Sequence, residues 1–218
     1  MIKKLSIIIT IFSLATPVAY SNVLSVDEFK NSTDESVIEI IDPPGIAALR
    51  IMVESLASLK ELKRQNESSI ENIITLINYK FLPFLAVNTA TELALKDHWK
   101  GLEPQNRNIF QKYIVQSLIN DYASILSTYN DLETIHIAID PEVRRKDNKA
   151  IVKLNISFND DPDVVLVSLK MIRVGRWRVY DVVYSGVSLV MNYRSQFDSH
   201  IRRKGLESLI TKISSKIK

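Results

Sequence analysis

The stretch Trp177–Phe197, WRVYDVVYSGVSLVMNYRSQF, begins with the period of a β-strand, breaks at Ser185-Gly186, and restarts with the period of a helix. Gly186 accepts backbone angles that other residues resist, and Ser188 is suited to cap the helix that follows. The junction is therefore read as a sharp strand-to-helix turn. A nucleophile elbow would need G-x-S-x-G, but the order here is Ser185-Gly186-Val187-Ser188, with no second glycine.

Upstream of this junction the period is also two. Ile135, Ile137 and Ile139 share one face of Thr134–Ile139, and Val152, Leu154, Ile156 and Phe158 share one face of the next segment. NDDPD (Asn159–Asp163) turns the chain into VVLVSLKMI, and Val174-Gly175 turns it into RWRVYDVVY. The result is an antiparallel meander of about four strands. Helical spacing precedes it. Leu49, Met52, Val53, Leu56 and Leu59 mark one helix, and Ile70, Ile73, Ile74 and Ile77 a second that ends near Pro83. Thr89–Trp99 is a third, and Pro104 opens the longest, whose apolar positions run from Ile109 to Ile125. Two more helices follow the strands, from Ser188 to about Lys204 and from Leu206 to about Lys216, with Gly205 as the stop between them. Helices, then strands, then helices indicate an α+β fold.

The N-terminus reads as an export signal. MIKK supplies positive charge, LSIIITIFSLA an apolar run, and PVAYS a cleavage site with Ala19 and Ser21 at the critical positions. The run is roughly half the ~20 residues a spanning helix needs, which favours a cleaved signal over residues 1–21. Residues 22–44, rich in Ser, Asp, Glu and Asn and closed by DPPG, are expected to form a mobile leader. Residues 45–218 make one domain.

Composition excludes several chemistries. The 218 residues are 46% hydrophobic and 24% charged, and removing Lys3 and Lys4 lowers the formal charge from +3 to +1, too little for a nucleic-acid binder. Without cysteine there is neither a disulfide framework nor a thiol nucleophile. His98, His136 and His200 show no metal-ligand spacing, and NDDPD lacks the glycine and distal glutamate of a calcium loop. No phosphate-cradling motif occurs among the five glycines. Three basic clusters, Arg144–Lys146, Arg173–Arg178 and Arg202–Lys204, are solvated faces by default, but each could meet phosphate or an acidic partner.

Taken together, WRVYDVVYSGVSLVMNYRSQF with HIRRKGLESLITKI, FLPFLAVNTATELAL, and HWKGLEPQNRNIFQKYIVQSLINDY resembles the MlaC family, the periplasmic phospholipid-binding or toluene-tolerance proteins. The resemblance covers about Ile46–Lys216. It departs at Glu103, where the family commonly has Thr before the proline, and in the long segment 22–42. It implies a curved antiparallel sheet with helices packed across it, like the nuclear-transport-factor cone, and a lipid cavity between the two layers. It also implies a non-enzymatic periplasmic carrier, without cofactor, whose cargo is a glycerophospholipid. The implied partners are an outer-membrane lipoprotein–porin complex and an inner-membrane ABC transporter complex with a substrate-binding ring. An enzyme or a protein-interaction module on the same general fold stays open as an alternative.

The candidate acyl-pocket residues are Leu154, Ile156, Val167, Leu169 and Val183 on the sheet, with Phe84, Phe110, Tyr113, Ile114, Leu118, Val187 and Val190 facing it from helices or the turn. In the strand from Trp177 to Tyr184, strict alternation puts Arg178, Tyr180, Val182 and Tyr184 on the face opposite Val183, so its inward side is left open. Expression with the native N-terminus in a Gram-negative host should yield mature protein starting at Asn22 by intact-mass spectrometry; protein retaining residues 1–21 would refute the export reading.

Overall fold

The structure is a computed structural model that describes residues 42–217 except 130 and 160; the expected signal segment and the leader up to residue 41 lie outside the described residues. Helix α1 runs Pro44–Arg64, with Pro44 in the first turn, where a missing N–H costs nothing, and Lys63 and Arg64 in the last turn. The helix thus begins at the last residue of the expected leader. Helix α2, Ile70–Leu76, is capped by Ser69, whose Oγ accepts the Asn72 N–H. It continues as a π-helical turn at Ile77–Phe81 and a 3-10 turn at Leu82–Phe84. Pro83 accounts for the change, since it has no N–H to donate and its ring crowds the carbonyl four residues back.

Helix α3 spans Val87–Leu95 and α4 spans Pro104–Thr128. The strands follow: β1 (Ile135–Ile139), β2 (Arg144–Lys146), β3 (Lys149–Phe158), β4 (Asp161–Val174), β5 (Arg176–Tyr184) and β6 (Val187–Ser188). They form one open antiparallel sheet in the order β1-β3-β4-β5-β6, with β2 paired to β3. The four strands of the meander are present, and short β2 and β6 are additions that a period-two reading is too coarse to find. Helices α5 (Leu189–Lys204) and α6 (Leu206–Ser214) close the chain, with Gly205 at φ +83° between them.

Cross-strand pairs define the inner face of the sheet. Ala150 opposes Met171, Val152 opposes Leu169, Leu154 opposes Val167, and Ile156 opposes Val165. On the other side of β4, Leu169 opposes Val182 and Val167 opposes Tyr184. Directly opposed residues in an antiparallel pair share a face. A bulge at Lys170/Met171 leaves Tyr180 without a register partner, so Met171 opposes Val179. The extra residue inverts the alternation of β5 at that point, and it bends the strand.

One half of this face is filled. Ala48 and Ile51 of α1 pack with Ala150, Val152, Leu154, Met171 and Trp177. A second apolar cluster joins α3, α4, α5 and α6 through Leu95, Phe110, Val190, Phe197 and Ile213, and a third gathers Leu59, Ile73, Ala123 and Leu132.

The Ser185-Gly186 junction is a two-residue hairpin turn between paired Tyr184 and Val187, with φ +46° and +78°, the double positive angle that matches strand twist. Ser188 then caps α5, its Oγ accepting the Met191 N–H at 3.0 Å and donating to Asp181 Oδ2 at 2.7 Å. Asp181, nearly fully buried, also accepts from Lys170 Nζ at 2.9 Å and from the Val190 N–H at 3.1 Å. One carboxylate thereby ties β4, β5 and the start of α5. Asp181→Ala would leave those donors without an acceptor and should lower the unfolding free energy by about 3 kcal/mol in urea denaturation; a loss below about 1 kcal/mol, the worth of an ordinary surface pair, would contradict this role.

Candidate functional site

The unfilled half of the inner face borders a cavity of about 380 Å³. The sheet supplies Ile156, Val165, Val167, Leu169, Val179, Val182 and Tyr184. Ile114, Val115, Leu118, Ile119, Tyr122 and Leu126 come from α4, Ile51 and Met52 from α1, and Leu189, Val190 and Tyr193 from α5. The segment around Pro83 adds Ile77, Phe81, Leu82, Phe84 and Leu85. That segment is pinned to β5 in three ways. The Ala86 N–H donates to the Val179 carbonyl at 2.8 Å, Arg176 Nη2 donates to the Pro83 carbonyl at 3.2 Å, and the Arg176 guanidinium lies 4.8 Å from the Phe84 ring centroid.

Seven of the twelve sequence candidates line this cavity: Phe84, Ile114, Leu118, Ile156, Val167, Leu169 and Val190. The other five are placed elsewhere. Leu154 is fully buried beneath α1, in the filled half of the sheet. Phe110 belongs to the helical cluster, edge-on to Phe197 at 5.3 Å. Tyr113 lies on that cluster against Tyr193 at 6.5 Å, one helical position away from Ile114 but turned from the cavity. Val183 opposes Ser168 because the bulge inverts the alternation, which brings Val182 and Tyr184 inward in its stead. Val187, on edge strand β6, is 48% exposed. Phe81, Leu82 and Tyr193 are lining residues that periodicity misses; the run Phe81-Leu82-Pro83-Phe84-Leu85, apolar throughout, is the signal that could have found the first two.

Hydrocarbon dominates the wall. Its polar groups are the hydroxyls of Tyr122, Tyr180, Tyr184 and Tyr193 and the carboxylate of Asp181, which is already committed to Lys170, Ser188 and the Val190 N–H. Water needs two to four polar partners to settle in a cavity, so this space favours an apolar occupant. Its volume falls in the range of small-molecule sites, which are also lined mainly by apolar side chains. Burial, reinforced by the nearby Asp121 charge, pushes the phenols of Tyr122 and Tyr193 well above the usual tyrosine range. Burial also raises the Asp121 carboxyl. Among the described residues, no group of three His, Asp or Glu side chains is placed to hold a metal ion.

An open antiparallel sheet, half covered by one helix and half facing a hydrocarbon cavity, defines a protein built to enclose an apolar ligand. The chain matches the family model described as MlaC protein over residues 50–215, and it belongs to that family. It is 26% identical over 156 residues to the "Intermembrane phospholipid transport system binding protein MlaC" of Haemophilus influenzae, a match covering 68% of this chain and 72% of that protein. Its fold resembles that of a phospholipid-binding protein from Ralstonia solanacearum solved in complex with a phospholipid, with a TM-score of 0.69 and 20% identity over 80% of this chain and 97% of that one.

The buried phenols give a pH test of the site. Unfolded tyrosine ionises near pH 10, and in the folded protein Tyr122 and Tyr193 hold their protons more tightly. Their contribution to stability is complete below about pH 10 and is lost as the pH rises above it. Urea unfolding at stepped pH should show this decline, and the Tyr122→Phe/Tyr193→Phe variant should flatten it; an unchanged slope in that variant would contradict the assignment.

Proposed function

We propose that this protein is a periplasmic phospholipid carrier that encloses the acyl chains of a glycerophospholipid in the cavity between sheet and helices. The apolar cavity, in a chain of the MlaC family, is the observation that carries this reading. The names of the Haemophilus and Ralstonia proteins support it. Two acyl chains hold about 30 methylenes, each worth about 0.8 kcal/mol on leaving water, so carrying them exposed would cost on the order of 20 kcal/mol. A carrier has to cover them. The charged head group is costly to bury unpaired and stays at the mouth in water.

The acyl contacts are assigned to the lining residues, chiefly Ile114, Leu118, Ile156, Val167, Leu169, Val190 and Phe84. No helix among the described residues is long and apolar enough to cross a membrane. The donors and acceptors we assign are an outer-membrane lipoprotein–porin complex and an inner-membrane ABC transporter complex with its substrate-binding ring. The carrier returns its lipid unchanged. Against a hydrolytic role stands the state of Asp181, among the described residues the one carboxylate at the cavity wall, which is committed to three donors and so is not free to activate water.

Two of the sequence candidates, one in the cavity wall and one exposed, make the test. Ile114→Asp places a charge in the cavity wall and should cut phospholipid transfer between vesicles by about tenfold or more, whereas exposed Val187→Asp should change it less than about twofold. Leu118→Trp, which fills the cavity without adding charge, should act like Ile114→Asp. Wild-type transfer by folded Ile114→Asp and Leu118→Trp proteins would remove the cavity from the mechanism.

A further inference from the structure

Of the three basic clusters, two have members engaged with the rest of the fold. Arg144 pairs with Glu142, Arg145 lies over the Trp177 ring, and Arg176 holds Pro83 and Phe84. The third, Arg202–Lys204, borders a separate groove of about 390 Å³ where α5 and α6 meet α4. Tyr113 and Phe197 line this groove, Tyr193 lines the apolar cavity, and the three rings pack edge-on or tilted, with centroids 5.9–6.5 Å apart, between the two. Phe197, Leu209 and Ile213 give the groove an apolar floor.

Its other lining residues are donors. Arg203 and Lys212 bring full charges, and His200, Ser195, Ser199 and Gln196 bring neutral polar groups. Arg203 Nε donates to the Ser199 carbonyl at 3.0 Å, which orients the guanidinium and leaves its terminal nitrogens free to act. Among the described residues neither Arg203 nor Lys212 meets a carboxylate within ion-pair distance. The acids of the same helices lie outside the lining, with Asp198 facing His98 at 3.6 Å. His200, whose Nε2 is 3.2 Å from Ser208 Oγ, has its pKa lowered by desolvation first and then by the nearby charges of Lys212, Lys204 and Arg203.

Unpaired cations converging on a concavity with neutral donors fit an oxyanion, and a guanidinium matches phosphate geometry especially well. The apolar floor suits an organic ester of that anion. We propose that the α4–α5–α6 groove is a phosphate-binding site, distinct from the lipid cavity, in which Arg203 and Lys212 supply charge and Ser199 and Gln196 supply neutral hydrogen bonds. The phosphate could be that of a lipid head group in a membrane or a free phosphate, and both present the same chemistry to the groove. This assignment is independent of what fills the cavity.

The test is an NMR titration of the isotopically labelled exported chain with inorganic phosphate, against chloride at matched ionic strength. Phosphate should give saturable shifts at Gln196, Ser199, His200, Arg203 and Lys212 and leave Val167 unmoved. The Arg203→Gln/Lys212→Gln variant should weaken binding by about tenfold or more, while Arg144→Gln/Arg145→Gln should not. Sedimentation with phosphatidylglycerol vesicles then separates the sources. Vesicle binding that is lost in Arg203→Gln/Lys212→Gln identifies the lipid head group, and phosphate binding without vesicle binding identifies the free anion. Equal shifts with chloride, or wild-type phosphate affinity in folded Arg203→Gln/Lys212→Gln, would overturn the proposal.

Discussion

An apolar cavity of about 380 Å³ has to be held open against the same force that builds the rest of the core. Its walls would gain by closing on each other, since apolar surface is driven together wherever it can meet. What resists closure is the packing around it. The α1 contacts under Ala150, Val152, Leu154 and Met171, the ring cluster of Phe110, Tyr193 and Phe197, and the Leu59/Ile73/Ala123/Leu132 cluster are filled cores on different sides of the empty space. Close-packed interiors deform little, so these three act as spacers. Asp181 adds a polar tie, fixing the start of α5 to β4 and β5 at the cavity's edge.

This arrangement explains how much could be read from residues alone. Period-two segments and helix signals located every major element, because periodicity reports which side of an element is buried. It does not report what that side is buried against. Ile114 and Leu118, four apart on α4, face the cavity, whereas Phe110, one turn earlier on the same helix, packs against Phe197 in a filled cluster. Leu154 and Ile156 share one face of β3, yet the first is covered by α1 and the second is not. Val183 lies off the cavity for a different reason. The bulge opposite Lys170 and Met171 adds one residue to β5, and no feature of the sequence RWRVYDVVY marks where the alternation changes.

The proposed carrier role, with acyl chains enclosed by an apolar wall, sets a limit on what the protein can do by itself. Hydrophobic enclosure is non-directional, and it distinguishes acyl chains from water far better than one head group from another. A protein that only encloses lipid equilibrates it between donor and acceptor. On the proposed function, direction then comes from the donor and acceptor rather than from this chain. The cationic groove beside α5 and α6 is separated from the cavity by the rings of Tyr113, Tyr193 and Phe197.

The most direct measurement is native mass spectrometry with lipid extraction on the exported protein, purified gently from a bacterial periplasm. The account predicts one intact phospholipid per chain, released unchanged on denaturation. Lipid-free protein that also fails to take phospholipid from vesicles, or protein that yields hydrolysed lipid, would contradict it.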